Sequence, residues 1–339
     1  MKKKILVTGG MGFIGSHTVV ELLQEGYEVV IADNLCNSQM ATLDSIEKIT
    51  GQHPIFYCID VCDTDAVTNL FEKEKPIDTV IHFAAHKAVG ESVQLPLKYF
   101  YNNLLSLINM LQCMGAVNIS GFVFSSSATV YGNPAALPVT EATPFQKASS
   151  AYGSTKQMGE EICEKVAAVS NIKAIALRYF NPVGAHASGL LGESPSGTPN
   201  NLMPYITQTV KGKQASLIIF GNDYDTPDGT CIRDYIHVVD LAKAHVAACK
   251  RLLQNQHQSY FEVFNLGTGN GTSVLELINT FEKENGVKVP YNIGKRREGD
   301  TAVLYAEVNR AKQDLAWEAT LTLEDMVKSA WEFEKAKVI

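Results

Sequence analysis

The stretch TGGMGFIGSH, residues 8–17, decides the fold of this 339-residue chain. Three of its four glycines, Gly9, Gly12 and Gly15, are spaced three residues apart and follow the apolar run ILV at residues 5–7, which is typical of a β-strand. The next residues, FIGSHTVVELLQEG, repeat apolar positions at helical spacing, and the glycine at position 26 is placed to end that helix. A strand, a glycine-rich turn and a helix indicate a diphosphate-binding unit, because glycines let phosphate oxygens approach the N–H groups at the helix N-terminus.

An acidic residue follows the second predicted strand. The run YEVVIAD ends at Asp33, 18 residues after Gly15, where a carboxylate can accept hydrogen bonds from a ribose diol. The same carboxylate would repel the 2′-phosphate of NADP, so the pattern predicts NAD as the cofactor. The alternatives are a mononucleotide or phosphosugar ligand in the same cleft, and a glycine-rich turn beside a merely solvated aspartate.

Short apolar runs alternate with helical segments along the first half of the chain. After the second strand, the further strand candidates are PIFYCID, DTVIHFAA, SGFVFSSS and IKAIALRYF. Helices are predicted between them near residues 64–74, 96–114 and 152–169. Alternation of this kind implies βαβ units, and hence an α/β fold with a Rossmann-type, doubly wound parallel sheet.

The composition changes after residue 180. Residues 184–201, GAHASGLLGESPSGTPNN, are rich in Gly, Pro, Ser and Asn, which is typical of a functional or boundary loop. The elements that follow are mixed, with helices and the short strands SLIIFG and FEVFNLG. We therefore expect an NAD-binding Rossmann domain over residues 1–180 and a smaller mixed α/β substrate domain over residues 181–339. Some segments around 235–265 are expected to pack back on the first domain.

Composition narrows the class of protein and its partners. The 29 Lys and Arg residues are outnumbered by 36 Asp and Glu, a net charge of −7, and no basic block follows the three lysines at the start. This balance argues against nucleic acid as a partner. No apolar run is long enough to span a membrane. The seven cysteines are odd in number and form no CxxC pair, which is typical of reduced thiols in a cytoplasmic globular protein.

The stretch AYGSTK places Tyr152 and Lys156 one helical turn apart. In isolation, such a pair is most often an ordinary surface contact. Beside a bound nucleotide it has a chemical use. A free tyrosine has a pKa of about 10, and a neighbouring ammonium together with a cationic nicotinamide would lower that pKa toward the range of a general base. Ser127, after the strand SGFVFSSS, is placed either to donate to the reacting oxygen or to cap a turn.

Further blocks of sequence occur in a characteristic order. They are FAAHKAVGES, FSSSATVYG, AYGSTK, RYFNPVGAH, NNLMPY, FGNDY, RDYIHV and RREGD. With the glycine turn, they make the chain resemble the extended short-chain dehydrogenase/reductase superfamily, and within it the UDP-galactose (UDP-glucose) 4-epimerase family. The resemblance runs nearly end to end, from residue 4 to about residue 330.

This resemblance implies a set of NAD-binding residues around the glycine turn and the strand ends. They are Gly9, Gly12, Phe13, Ile14, Gly15, Asp33, Asn34, Leu35, Cys36, Asn37, Ser38, Asp60, Val61, Phe83, Ala84, Ala85, Lys87, Asn102, Ser127, Tyr152, Lys156 and Phe180. It also implies that Ser127, Tyr152 and Lys156 form a catalytic trio.

A UDP-sugar site beside Ser127 and Tyr152 is implied in the same way. Its further members are Asn181, Asn201, Leu202, Ile218, Ile219, Phe220, Arg233, Arg297, Asp300 and Leu304. Arg233 and Arg297 would hold the diphosphate, to which the planar guanidinium fork is suited. Asp300 would lie near the uridine ribose. A structural ion pair is the alternative role for the two arginines.

The chemistry that the resemblance implies is redox-neutral. Tyr152 takes the proton of the sugar 4-hydroxyl while C4 gives hydride to NAD. The 4-keto sugar then turns within the site, and hydride returns to its other face, so NAD is expected to stay bound between turnovers. The resemblance also implies a homodimer formed through the helices near residues 96–114 and 152–169.

Other functions remain open on the same fold. A sugar-nucleotide 4,6-dehydratase needs an Asp-Glu pair after the serine strand, whereas residues 126–132 here, SSATVYG, contain no carboxylate. A net dehydrogenase or reductase would exchange NAD at every turnover, which the sequence does not exclude. A non-catalytic NAD-sensing module would not need a proton-transfer trio. Asp234, His237 and Asp240 have a spacing that suits a metal, but we expect a structural network there and no metal.

Two departures from the family pattern bear on the substrate. Ala85 and His86 stand where many of these epimerases have Gly-Leu, which is expected to change the packing near the nicotinamide. Leu304 stands at a position that flanks the sugar pocket, where tyrosine is associated with UDP-glucose and UDP-galactose only. Because leucine is smaller than tyrosine, we expect UDP-GlcNAc and UDP-GalNAc to be accepted as well, or preferred.

Overall fold

A seven-stranded sheet forms the centre of the molecule. The computed structural model describes residues 2–297 and 300–337, so Glu298 and Gly299 of the block RREGD lie outside the described residues. Numbered along the whole chain, the strands of this sheet are β1 (Lys4–Thr8), β2 (Glu28–Asp33), β3 (Ile55–Cys58), β4 (Thr79–His82), β5 (Gly121–Ser125), β6 (Lys173–Tyr179) and β11 (Phe261–Leu266). Their order is β11-β6-β5-β4-β1-β2-β3, and every neighbouring pair is parallel. The expected Rossmann-type parallel sheet is confirmed.

Strand β1 shows why the strands of this sheet are continuous apolar runs in the sequence. Ile5, Leu6 and Val7 are all fully buried, because helices cover both faces of the sheet. Ile5 and Val7 pack into one core cluster and Leu6 into the other, as successive side chains of a strand must. The two faces therefore have separate hydrophobic cores.

Helices form the layers on either side of the sheet. They are α1 (Phe13–Gln24), α2 (Ala41–Thr50), α3 (Thr64–Glu74), α4 (Val89–Gln94), α5 (Pro96–Ala116), α6 (Ala151–Val169), α7 (Leu202–Val210), α8 (Val238–Leu253), α9 (Val274–Asn285), α10 (Asn309–Asp314) and α11 (Leu323–Ala336). Helices α1 and α8 cover one face, and α3, α5 and α6 cover the other. In residues 2–297 and 300–337, no helix has both the length and the apolar character needed to cross a bilayer.

The strand order creates a crevice at one edge of the sheet. Strand β1 lies between β2 and β4. From β1 the chain adds β2 and β3 on one side of the sheet, and then β4, β5 and β6 on the other side. Ligands of such sheets bind outside the carboxyl ends of the strands at this reversal. The strand ends Thr8, Asp33, His82 and Ser125 therefore lie along the edge where a nucleotide is expected.

Two elements from the second half of the chain join the central sheet. Helix α8 packs against α1, and β11 pairs with β6 from Phe261 opposite Ala174 to Leu266 opposite Tyr179. Both elements begin within the range 235–265. The division into residues 1–180 and 181–339 stays a prediction.

The other described strands form smaller sheets. Their strands are β7 (Asn181–Val183), β8 (Leu217–Phe220), β9 (Ile232–Arg233), β10 (Tyr235–His237), β12 (Thr272–Ser273), β13 (Tyr291–Gly294) and β14 (Val303–Leu304). Strand β7 pairs with β10, β8 pairs with β13, and β9 lies between β12 and β14. Helices α7, α9 and α11 enclose a third core with Ile206, Leu277 and Val327. This smaller mixed α/β part is the one expected from the sequence.

Two helical glycines provide a matched test of the packing around α6. A methyl group on Gly159 in α6 would lie 2.6 Å from Cζ of Phe124, whereas one on Gly115 in α5 would meet no described atom within 4 Å. We expect Gly159→Ala to lower the free energy of unfolding by about 1–3 kcal/mol through overpacking. Gly115→Ala is expected to raise it by about 0.4–1 kcal/mol, because it restricts the unfolded chain. Denaturant unfolding followed by circular dichroism measures both changes, and equal effects would contradict this packing.

Candidate active site

A cavity of about 550 Å³ opens at the carboxyl edge of the sheet. Most of the predicted NAD-binding residues line it: Gly9, Gly12, Phe13, Ile14, Gly15, Asp33, Asn34, Cys36, Asn37, Ser38, Asp60, Val61, Phe83, Ala84, Ala85, Lys87, Asn102, Tyr152 and Lys156. Within the described part of the chain, Leu35, Ser127 and Phe180 are the predicted members that do not line it. The structure thus brings most of the set together, while the role of each residue stays a prediction.

The turn after β1 has room only for glycine at two positions. Gly9 has a φ of +69°, and a methyl group there would lie 2.8 Å from the backbone nitrogen of Ala84. A methyl group on Gly15 would lie 2.2 Å from the carbonyl oxygen of Gly9. Helix α1 begins directly after Gly12, and no described side chain caps it. Its first N–H groups are therefore available to a ligand, with the helix dipole favouring an anion.

Asp33 connects the turn to the second strand. One carboxylate oxygen accepts from the backbone N–H of Met11 at 3.1 Å, and the other accepts from the backbone N–H of Leu35 and the hydroxyl of Ser38, both at 2.9 Å. The carboxylate lines the cavity at the end of β2. A glycine cradle, an uncapped helix N-terminus and this carboxylate fit a dinucleotide whose ribose carries no 2′-phosphate.

The predicted catalytic pair lies at the start of α6. Ser150 caps the helix by accepting from the backbone N–H of Gly153, so Tyr152 falls in the first turn and Lys156 in the next. Both side chains are buried and line the cavity. The Lys156 ammonium lies 5.7 Å from the ring centre of Tyr152 and donates to the carbonyl oxygen of Ser125 at 2.6 Å. Ser127, which follows β5, is near enough to the Tyr152 phenol to affect its pKa, and its hydroxyl oxygen accepts from the backbone N–H of Thr129 at 3.2 Å.

Burial shifts the pKa values of this pair. Desolvation raises the pKa of Tyr152 well above its usual value, the Tyr179 phenol adds to the shift, and the nearby Ser127 hydroxyl opposes it. Desolvation also lowers the pKa of Lys156 to about 8. The protein's own groups thus do not produce the expected lowering of the tyrosine pKa, because desolvation outweighs them. Any lowering must include the charge of the cofactor.

A buried ionic network holds α6 against the sheet. Glu160, one turn after Lys156, accepts from Arg178 in β6 at 2.7 Å and from the hydroxyl of Ser126. Arg178 also donates to the phenol oxygen of Tyr131 at 3.0 Å. These contacts fix the position of α6 relative to the ends of β5 and β6. Of the serines that follow β5, Ser126 binds Glu160, and Ser127 caps the short helical turn Ala128–Tyr131; a catalytic role for Ser127 stays a prediction.

The predicted diphosphate-binding residues form a second cluster, outside the 550 Å³ cavity. Arg297 donates to Asp300 at 2.7 Å and 3.1 Å, and a guanidinium nitrogen of Arg233 lies 3.8 Å from the same carboxylate. Arg297 also stacks over Phe220, with 5.6 Å between guanidinium carbon and ring centre. Ile218 and Phe220 are exposed on one face of β8, whereas Ile219 is buried behind it. The cluster offers two cations and an apolar surface side by side.

The other predicted substrate residues do not line the 550 Å³ cavity and come from elements near the arginine cluster or at the start of α7. Leu304 in β14 pairs with Arg233 in β9, and its side chain packs against a cluster that includes Phe180. Asn201 precedes α7, Leu202 is the first residue of that helix, and Asn181 is the first residue of β7. These residues come from separate short elements.

Asp234, His237 and Asp240 have structural hydrogen-bond partners. Asp234 accepts from backbone N–H groups of Thr268, Gly269 and Ala306, which holds two loops beside Arg233. His237 caps α8, and Asp240 accepts from Thr320 and Leu321. Across residues 2–297 and 300–337, no three His, Cys, Asp or Glu side chains are grouped as metal ligands would be.

Several lining residues were not predicted from the sequence. They are Met11, Ser16, Gln39, Ala41, Thr42, Ser45, Ile59, Ser125, Tyr179, Leu190, Leu191, Gly192, Glu193, Ser194, Pro195, Lys213, Phe333 and Lys337. For the lining residues within 184–201, the Gly-, Pro-, Ser- and Asn-rich composition of that loop was a signal, since such a loop is often functional. Phe333 and Lys337 had no local signal, because a C-terminal segment reaches the cavity only through tertiary packing.

Comparison with known proteins identifies the relatives of this chain. A sequence profile described as GDP-mannose 4,6 dehydratase matches residues 6–330. The UDP-glucose 4-epimerase of Bacillus subtilis (strain 168) is 50% identical over 335 residues, which cover 98% of this chain and 97% of that protein.

Solved structures show the same relationship. UDP-glucose 4-epimerase from Bifidobacterium longum, in complex with NAD+ and UDP, matches with a TM-score of 0.94 and 47% identity over 98% of both chains. UDP-glucose-4-epimerase from Stenotrophomonas maltophila, with bound NAD and formylated UDP-arabinopyranose, matches with a TM-score of 0.95 and 47% identity, again over 98% of both chains. The chain therefore belongs to the UDP-glucose 4-epimerase family, within the extended short-chain dehydrogenase/reductase superfamily.

Proposed function

We propose that this protein is an NAD-dependent UDP-sugar 4-epimerase that interconverts UDP-glucose and UDP-galactose. The observation that carries the proposal is the trio of Ser127, Tyr152 and Lys156 at a 550 Å³ cavity, which Tyr152 and Lys156 line, beside the glycine turn. The arginine cluster at Arg233 and Arg297 supplies the place for a diphosphate. An epimerase needs all three features, since it must hold a cofactor, move a proton and anchor a nucleotide.

NAD is the cofactor of this site. The first turn of α1 and the glycine turn would hold its diphosphate, and Asp33 a ribose diol. When bound, NAD supplies a hydride acceptor that can return the hydride to C4 of the sugar. The positive charge of its nicotinamide would favour the phenolate form of Tyr152.

Tyr152 exchanges the proton of the sugar 4-hydroxyl in this proposal. A phenol can serve as the base when its negative form is stabilised, and the buried Lys156 ammonium lies within one helical turn. Ser127 lies near the phenol and would contact the same sugar oxygen. The residue roles follow from this geometry together with the family resemblance.

The nucleotide end of the substrate is anchored by charge and by an apolar surface. Arg233 and Arg297 share one carboxylate, Asp300, so this group of three has one positive charge in excess for a diphosphate. The exposed faces of Ile218 and Phe220 suit the ring of a nucleobase. Anchoring at the UDP end leaves the hexose able to present either face.

Dehydration is disfavoured by the residues after β5. Ser127 leads into a short helical turn, Ala128–Tyr131, that contains no carboxylate. Elimination across C5 and C6 would need such acid and base groups beside the sugar. The match to the dehydratase profile is therefore interpreted as a shared fold and cofactor.

The proposed function predicts turnover without added cofactor. Purified protein should convert UDP-galactose to UDP-glucose with no NAD in the assay, because hydride removed from C4 is returned to the same molecule. Product is measured by chromatography, and NADH by its absorbance. Accumulation of NADH equal to product would instead identify a net dehydrogenase, and appearance of a 4-keto-6-deoxy sugar would identify a dehydratase.

The matched variant in this assay is Tyr152→Phe, which removes only the phenol oxygen. We expect the variant to keep its bound NAD and to lose about 10²–10⁴-fold in kcat, the usual contribution of a general base. Bound NAD is quantified after denaturation of the protein. Unchanged kcat would remove Tyr152 from the mechanism.

The choice of sugar is proposed to depend on Leu304. This residue pairs with Arg233 and packs beside Phe180, so it lies between the diphosphate cluster and the strand ends. Its side chain is smaller than the tyrosine associated with strict UDP-glucose and UDP-galactose specificity. We therefore propose that UDP-GlcNAc and UDP-GalNAc are also substrates, or the preferred ones.

Leu304→Tyr tests this proposal about the sugar. The larger side chain is expected to lower kcat/KM for UDP-GlcNAc by about tenfold or more, because overpacking costs 1–3 kcal/mol. Turnover of UDP-galactose should change less than about threefold. Leu304→Ala, the matched control, should keep both activities. Equal or lower turnover of UDP-GlcNAc by the wild type than by Leu304→Tyr would refute the proposal.

A homodimer is proposed from the surface of α5 and α6. Leu97 and Tyr101 are 80% and 70% exposed on α5, Ile108 is exposed farther along it, and Met158 is exposed on α6. The spacing of positions 97, 101 and 108 puts the three α5 side chains on one helical stripe. A continuous apolar stripe on paired helices suits a second copy of the same surface, since most soluble oligomers are symmetric.

The double substitution Leu97→Glu and Tyr101→Glu tests the dimer. Introducing two like charges on a shared stripe should convert the dimer to a monomer, which sedimentation or light scattering would detect. Val169→Glu is the control, because Val169 is exposed at the far end of α6. A wild-type protein that is monomeric at micromolar concentration, or a dimer unaffected by the double substitution, would contradict this interface.

The cysteines support an intracellular location, which we include in the proposal. All seven are unpaired, and Cys36 and Cys58 are exposed. Exposed unpaired thiols are typical of proteins kept in a reducing compartment.

A further inference from the structure

Three lysines meet at one buried glutamate where the last helix ends. Glu334 in α11 is only 2% exposed, and its two carboxylate oxygens accept from the ammonium groups of Lys213 at 2.9 Å and Lys337 at 2.8 Å. Lys211 donates to the backbone carbonyl oxygens of Glu334 and Lys337, which holds the end of the helix. These four residues form the lysine cluster.

The lysine cluster borders the cofactor cavity close to the start of α1. Lys213 and Lys337 line the same 550 Å³ cavity as the glycine turn. A second void, of about 10 Å³, is bordered by Phe333 and Glu334 together with Phe13, the first residue of α1. The cluster therefore lies beside the helix N-terminus at which the cofactor diphosphate is expected.

Positive charge is in excess at the lysine cluster. The cluster contains three ammonium groups and one carboxylate. Glu193 also lies there, since its backbone carbonyl oxygen accepts from Lys337 at 3.4 Å, but its carboxylate is paired with Lys87 at 2.9 Å. A dinucleotide carries a negative charge on each phosphate of its diphosphate. The charge of the cluster is therefore complementary to the group expected beside it.

Two of the three ammonium groups keep hydrogen-bond donors for a ligand. An ammonium has three N–H donors, of which Lys213 uses one and Lys337 two in the described contacts. The two side chains are 41% and 22% exposed, so solvent or a ligand in the cavity can reach both. Glu334 fixes the two ammonium groups without using all their donors.

We propose that Lys213 and Lys337 bind the diphosphate of NAD together with the N-terminus of α1, and that they slow the release of the cofactor. The two lysines come from the segment after α7 and from the end of α11, so they add contacts from distant parts of the chain to those of the glycine turn. Slow release suits a cycle in which NAD is regenerated in place. This inference rests on the NAD binding of the proposed function and is independent of the choice of sugar.

The double substitution Lys213→Met and Lys337→Met tests the contact, because methionine removes each charge and keeps most of the aliphatic stem. The holoenzyme is incubated with excess isotopically labelled NAD, and exchange of the bound cofactor is followed by mass spectrometry. We expect exchange about tenfold faster in the double variant, and about threefold faster in each single variant, through loss of charge-assisted hydrogen bonds. The single variants carry the test if the double variant does not fold.

Two other lysines separate a contact with the cofactor from a merely structural role. Lys335→Met, on the same helix, removes an exposed lysine that is paired with Glu332, and it should leave the exchange rate unchanged. Lys211 holds the end of α11 but does not line the cavity. Lys211→Met should therefore lower the melting temperature and speed exchange by less than about twofold, since no bond to the cofactor is lost.

The exchange experiment also separates this inference from the proposed function, because it needs no UDP-sugar and no turnover. Faster exchange in the lysine variants supports the contact even if the protein does not epimerise. Unchanged exchange in the double variant overturns the proposal even if epimerase activity is found. Exchange as fast in Lys211→Met as in the double variant also overturns it, because the cluster would then act only by holding α11.

Discussion

The buried ionic contact between Glu160 and Arg178 is the constraint on which the active site depends. Glu160 accepts two hydrogen bonds from Arg178 Nε, at 2.9 Å and 3.1 Å, and one from Nη2 at 2.7 Å, and it also accepts from Ser126. One carboxylate thus ties the helix that carries Tyr152 and Lys156 to two neighbouring strands. Removing one partner of such a pair costs about 3–5 kcal/mol, because the other charge is left buried without compensation. The distance between base and cofactor cavity is therefore fixed by packing before any ligand binds.

The cofactor cavity and the residues proposed to bind the sugar-nucleotide are built from different kinds of structural element. The cofactor cavity is built from strand ends and a glycine turn, whose backbone positions are set by the sheet itself. The residues proposed to bind the sugar-nucleotide, such as Leu304 and Asn201, come from short strands and loops, where a single substitution can act without disturbing the sheet. In the proposed function, the chemistry therefore depends on the rigid sheet and the choice of sugar on these more variable segments.

Local patterns in the sequence predicted the helices and strands whose apolar residues recur at a regular spacing, and the turn in which glycine is sterically required. The β1–turn–α1 unit, the strands that followed it and the helices α5, α6 and α8 were all recognisable from apolar spacing and glycine placement. Helices α4 and α10 were not, since each has six residues and buries one of them. The desolvation that raises the pKa of Tyr152 in the protein alone also has no local signal, and the lowering expected with NAD bound stays a prediction.

By itself, the sequence determined the nucleotide-binding framework, because each of its features depends on residues close together in the chain. Gly9, Gly12, Gly15 and Asp33 needed only their spacing and their flanking strands. Only the tertiary structure decided that Glu193 meets Lys87, 106 positions away. The physical reason is that a hydrogen-bond partner is chosen by the packing of distant segments, which no local pattern of residues records.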